Sequence, residues 1–173
     1  MEGKPSSENT STELKVIFDA DQAERLVGYE NINLVQMREN DKPRLDRARE
    51  IYNQVKEEGL VLDGEDLWRL GMLYQHSAEP EDYLTAMEIA NMSSAAGSEA
   101  GAWLTAAAED RYLLSVGKDQ KWGTQFAKND EGQWYQQPMS SDEESGITDD
   151  MRATKGISPR AVQMEEFLKR DDV

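Results

Sequence analysis

Four interruptions constrain this chain more than any other feature: Gly59, Glu79-Pro80, Gly97 and Gly117. Glycine accepts the left-handed conformation that ends a helix, and proline is tolerated only near a helix start. Between these breaks the apolar residues recur at i, i+3, i+4 and i+7. Leu45, Ala48, Tyr52 and Val55 form one stripe, and Leu67, Leu70, Gly71 and Tyr74 another; Trp103, Ala106, Ala107, Asp110, Leu113 and Leu114 lie along a later helix. The spacing predicts helices over 41–58, from Asp63 to the Glu79-Pro80 break, from Pro80 to about Ala96, and from after Ser98 to Gly117. Asp41 and Asp63 are read as N-caps, with Pro43 in a first turn. Short connections between consecutive helices force them to pack on one another.

An earlier stripe of Leu14, Ile17, Phe18, Asp21, Gln22 and Arg25 predicts a helix over 12–26 that begins apolar and ends polar. After Gly117 the pattern changes. Lys121 to Ala127 and Gln133 to Gln137 are aromatic and β-leaning, separated by Asn129-Asp130-Glu131-Gly132, and read as a hairpin. The expected fold is therefore mainly α: a compact bundle of about five helices, a C-terminal β-hairpin at about 121–137 and a short tail helix after Ser158-Pro159. Residues 12–137 form the single helical domain. Residues 1–11 are expected to be a disordered lead, and 138–173 an acidic linker, mobile at 138–150, followed by the tail helix.

Composition narrows the partners. Thirty-five acids against 19 bases give a net charge of −16. Such a field repels phosphate backbones and anionic lipid, so neither nucleic acid nor a membrane surface is expected as a partner. Without cysteine there are no disulfides, thiolate metal sites or cysteine nucleophiles, which fits a cytoplasmic, reducing location. One histidine argues against a transition-metal site, no EF-hand spacing occurs, and neither metal nor cofactor is expected. Phosphate-loop, dinucleotide and common hydrolase motifs are absent.

Leu70-Gly71-x-x-Tyr74, followed by Asp82-Tyr83-x-x-Ala86, resembles a tetratricopeptide or Sel1-like helical hairpin. It covers about one and a half repeats, which implies a hairpin inside a compact domain rather than a solenoid. A second resemblance covers most of the chain. Asp19-Ala20-Asp21-Gln22, Tyr74-Gln75-His76, Pro80-Glu81-Asp82-Tyr83-Leu84, Trp103-Leu104-x-Ala106-Ala107, Asp110-Arg111-Tyr112-Leu113 and Gly117-Lys118-x-Gln120-x-x-Gly123-Thr124-Gln125-Phe126 are similar to a bacterial family of unknown function. That family is marked by D-R-aromatic-L, then G-K-P-Q, then aromatic-G-T-Q-aromatic. Here Asp119 replaces the proline. The resemblance implies membership and supplies no activity.

The residues that could carry chemistry sit within these stretches. Asp110 shares the stripe of Trp103, so it faces inward if Trp103 does, and an inward carboxylate needs a partner. Arg25, Arg111, Thr124 and Gln125 are the candidates. The structural reading is an ion pair joining the fifth helix to the first. The functional reading is a catalytic or ligand-orienting carboxylate. His76 is either a general acid or a helix-end cap, and Asp21 repeats the logic of Asp110 on the first helix. The leading expectation is a polar pocket that binds a small polar molecule and adds acid/base chemistry: Asp110, His76 and Asp21 catalytic; Gln22, Arg25, Gln75, Arg111, Thr124 and Gln125 ligand-binding. The alternative is a non-catalytic interaction module that binds a partner protein. Assembly into homo- or hetero-oligomers is compatible with both. Convergence of the polar residues in one concavity would favour the first.

Overall fold

The structure, a computed structural model, describes residues 6–27 and 31–170. In chain order the elements are α1 (Ser7–Arg25), α2 (Leu34–Glu57), α3 (Gly64–Gln75), α4 (Pro80–Ala95), α5 (Glu99–Ser115), β1 (Phe126–Lys128), β2 (Trp134–Gln136), α6 (Asp142–Ser145), α7 (Asp149–Thr154) and α8 (Gln163–Leu168). The described chain is thus mainly helical, with one two-stranded antiparallel hairpin, as the periodicity predicts. No helix among the described residues is long and apolar enough to cross a membrane.

The core is organised around α3, which packs on α1, α2, α4 and α5. Its Leu67, Leu70, Leu73 and Tyr74 meet Leu14 of α1, Ala48, Ile51 and Tyr52 of α2, Ala86 and Ile89 of α4, and Ala108 of α5. Asp63 caps α3 by accepting from the Asp66 amide at 2.8 Å. Helices α4 and α5 approach closely because glycine and alanine line their contact. A methyl group at Gly101 would lie 2.6 Å from the Ser94 nitrogen and 2.9 Å from the Ala90 carbonyl oxygen, both backbone atoms that cannot step aside. Gly101→Ala should therefore lower stability by about 1–3 kcal/mol in urea unfolding, as overpacking does. A variant as stable as the parent would contradict so close a contact.

Four expectations are corrected. The lead ends earlier than Ser11: α1 begins at Ser7, and Thr10 is only 4% exposed, while residues 1–5 lie outside the described residues. Helix α2 begins at Leu34, not Asp41, because Asn33 accepts from the Gln36 amide at 3.1 Å and supplies the cap. Pro43 is therefore interior and removes one helix hydrogen bond. Cross-links to α1 hold the extra turns in place. Asn40 and Arg44 both reach Glu24, at 2.8 Å each, and Asp41 accepts from Arg25 at 2.6 Å.

The strands are shorter than their composition suggests, pairing only Phe126 with Gln136, Ala127 with Tyr135 and Lys128 with Trp134. Residues 121–125 form an irregular loop. Finally, 138–150 is structured rather than a linker. Ser141 and Glu144 make a reciprocal capping box on α6, and Ile147 is buried. Arg152, wholly buried, donates to Asp142 and to Asp149 (2.8 Å). Asp142 and Asp149 of this run are taken up by Arg152 and Arg160, and Glu144 by the cap of α6. Ile147 and Ile157 pack with Trp122 and Ala106 as a second small core, which seats this segment against α5.

Candidate functional site

Asp110 is fully buried on α5, but it reaches neither α1 nor an arginine. One carboxylate oxygen accepts from the backbone N–H groups of Lys121 (2.8 Å) and Trp122 (2.9 Å). The other accepts from the Thr124 N–H (3.0 Å) and the Thr124 hydroxyl (2.8 Å). Burial pushes this carboxyl above the ordinary range, and the four donors pull it back. The expectation of an ion pair to the first helix is corrected: Asp110 fastens the loop that follows its own helix.

Gln120 completes that fastening from inside the loop. Its side-chain oxygen accepts from the Gln125 N–H (2.9 Å), and its nitrogen donates to the carbonyls of Gln125 (3.0 Å) and Gln137 (2.9 Å). Gly123 adopts φ +86°, and a methyl group there would lie 2.1 Å from the Gln163 side-chain oxygen. Only glycine fits.

Asp21 and His76 come together across 55 residues of chain. Asp21 projects from α1 and is 1% exposed; His76 ends α3 as its C-cap. The His76 Nδ1 lies 3.0 Å from Asp21. Asp21 also accepts from Arg25 (2.7 Å) and Gln22 (2.8 Å). Burial alone would raise the Asp21 carboxyl, but the contact with His76, the Arg25 charge and the Gln22 hydrogen bond hold it below the usual range. Burial pushes His76 down, with the charges of Arg25 and Arg111 adding to it against Asp21. A neutral imidazole donating from Nδ1 to an ionised Asp21 satisfies both directions, and it leaves Nε2 with a lone pair.

That depressed pKa has a stability consequence. The folded protein resists protonating His76, whereas the unfolded chain takes up a proton near pH 6.5. The stabilisation from neutral His76 is present above that pH and is lost as pH falls toward the lower folded value. His76→Gln should therefore cost most stability at pH 7.5 and progressively less toward pH 5, by paired urea titrations. A cost independent of pH would refute the neutral assignment.

A cavity of about 290 Å³ lies beside this pair. Six of the nine candidate residues line it: Arg25, Gln75, His76, Arg111, Thr124 and Gln125. Asp21, Gln22 and Asp110 do not, and instead stand behind those that do. Among the described residues no carboxylate lines the cavity. Arg25, Arg111 and Arg170 are the cations of the lining, and Arg25 is already paired with Asp21 and Asp41. Arg111 stands out, since among the described residues no carboxylate lies within ion-pair distance of it, and its buried Nε has no partner. Burial lowers its pKa, and the Tyr83 hydroxyl is the group that favours its charge. Gln75, 3% exposed, likewise has a buried side-chain oxygen without a partner.

Sequence reasoning missed the aromatic part of the wall. Trp103, expected in the core, is 37% exposed and lines the cavity, while its neighbour Leu104 is buried. Phe126 of β1 stacks on Phe167 of α8 with ring centres 3.9 Å apart, and Trp134 of β2 meets Phe167 edge-on. Phe126 was visible in the G-T-Q-F stretch; the distant Phe167 had no local signal. No family model, curated protein or solved structure matches this chain.

Proposed function

We propose that this protein binds a small organic acid in the cavity between α1, the end of α3, α5 and the 121–126 loop, and that His76 acts on it as a general base. The single observation that carries this reading is that Arg111 Nε and Gln75 Oε1, a buried donor and a buried acceptor without protein partners, belong to residues lining one cavity. Leaving such groups unmet costs about 1–3 kcal/mol each, and active sites are where that cost is retained. An anionic group on the ligand would answer Arg111, a hydroxyl or amine would answer Gln75, and Trp103, Phe126 and Phe167 would cover an apolar part. The cavity is at the small end of ligand sites, which run to roughly 300–1,000 Å³.

Within this reading Asp21 is a positioning residue that fixes the His76 tautomer, and His76 is the base rather than the acid. Arg111 clamps ligand charge. Thr124 and Gln125 are partly committed to the loop, since the Thr124 hydroxyl donates to Asp110 and accepts from Gln125 at 2.9 Å. The convergence of Asp110, Arg111, Gln120, Gly123, Thr124 and Gln125 supports reading the D-R-aromatic-L and G-T-Q-aromatic stretches as one working unit, and so the proposed family membership. The repeat-like interaction module has less support. Gly71 of α3 lies tight against Leu104 as a repeat hairpin requires, but α1 and α2 already cover α3.

The test is a thermal-shift screen of small carboxylates, amino acids and phosphate monoesters. A ligand at 100 times its Kd stabilises by about 2.7 kcal/mol, a shift of several degrees. The expected hit shifts the parent and fails to shift Arg111→Met. No shift with any acid, or an equal shift in the variant, overturns the proposal.

A further inference from the structure

A second, larger cavity of about 670 Å³ lies toward α2 and shares Arg25, His76 and Arg111 with the first. Among the described residues its lining carries five cations, Arg25, Arg38, Lys42, Arg49 and Arg111, against two acids, Asp41 and Glu79. Two of the cations are already answered, Arg25 by Asp21 and Asp41, and Arg49 by Asp46 and Asp82. Asp41 already accepts from Arg25 and Arg44. Among the described residues Arg38 has no carboxylate partner, and Lys42 meets only Asp46, at 3.6 Å, with its side chain 81% exposed. The N-cap of α4, Glu79, is on this wall and gives its helix no side-chain cap, so the positive end of a 16-residue helix borders the same space. Leu45, Leu73 and Tyr83 add an apolar surface.

The geometry points to a second anion site here, selective for a small molecule bearing a diphosphate or comparably multivalent group, and sharing Arg111 with the small-acid site. Arg38, Lys42 and Arg111 are the cations without a close carboxylate, and a single carboxylate would not answer all three. Adjacent phosphates engage several guanidinium and ammonium groups together, and arginine's planar fork favours them. The volume leaves room for an organic part against Leu45 and Tyr83. A cationic cavity of this kind in so acidic a chain attracts small anions that reach it, while long nucleic acid meets the repelling exterior.

Inorganic pyrophosphate is the probe, titrated into the full chain by calorimetry at low and moderate salt. The double variant Arg38→Gln/Lys42→Gln touches this cavity alone and changes two exposed side chains, so circular dichroism should match the parent. Trp103→Ala touches the first cavity and not this one. The expected result is salt-sensitive binding that weakens at least tenfold in the double variant and less than twofold in Trp103→Ala. Absence of pyrophosphate binding to the parent overturns the second site, as does full affinity in the double variant. Loss in Trp103→Ala alone would also overturn it and place the anion in the first cavity, in favour of the small-acid reading. Binding lost in the double variant, with no hit among the small acids, would sink that earlier reading and leave this one standing.

Discussion

Asp110→Asn should cost about 3–5 kcal/mol of stability, the penalty for breaking a buried, hydrogen-bonded charge. Each carboxylate oxygen receives two donors, so the NH₂ of the amide faces either two N–H groups or the Thr124 N–H and hydroxyl, of which only the hydroxyl can turn to accept. The variant loses at least one hydrogen bond and gains donor-to-donor repulsion at a fully buried site. For a domain of this size each kcal/mol is worth about 2–4 °C, so the melting temperature should fall by roughly 6–20 °C. Asp110→Glu should not rescue it, because the longer side chain cannot meet the amides of Lys121, Trp122 and Thr124 from the same backbone position. Full stability in the asparagine variant would show that the loop is held by something else.

Arg111→Met should do the opposite to stability. The substitution removes a cation that burial penalises and that no carboxylate answers among the described residues, and it leaves an apolar side chain of similar reach. The expected gain is about 1–3 kcal/mol, in the direction found when buried charges give way to packed apolar groups. Binding of any acid found by thermal shift should weaken at least a hundredfold, since the charge-assisted hydrogen bonds are lost. More stability with less binding is the signature of a residue retained for its ligand. A destabilised variant would identify Arg111 as a structural cation.

The helices that could be read from sequence were those whose limits are backbone chemistry. Asp63, Pro80 and Gly97 mark α3 and α4 because capping, ring geometry and positive φ are local properties. The start of α2 was not legible, because Pro43 resembles a first-turn proline unless the pairing of Asn40, Asp41 and Arg44 with α1 is known. The loop at 121–125 looked like a strand for the same reason: its composition is β-leaning, and Asp110 and Gln120, which override it, act at a distance. The acidic run at 138–150 read as solvated because its neutralising arginines, Arg152 and Arg160, follow it in the chain.

The candidate site shows the same division. Helical spacing grouped Asp21 with Arg25 and put Asp110 on the buried face of Ala106 and Ala107, but Trp103, on which the inward reading of Asp110 depended, faces out. Spacing could not say that Asp21 would meet His76, or that Asp110 would bind backbone rather than arginine. The aromatic wall was out of reach, since Trp103, Phe126 and Phe167 come from three elements with no common period.

The four-donor grip of Asp110 also bears on how the cavity opens. Arg111 follows Asp110 on α5, and Thr124 and Gln125 leave the same loop that Asp110 holds, so cation, loop and cavity wall share one fastening. Opening that loop exposes four donors at once, which makes partial release costly and favours opening as a unit. The amides of Lys121, Trp122 and Thr124 should therefore exchange with solvent deuterium at a common, slow rate, although they belong to no helix or strand. A bound acid on Arg111 should slow all three together, so their exchange would report ligand occupancy without any assay of turnover.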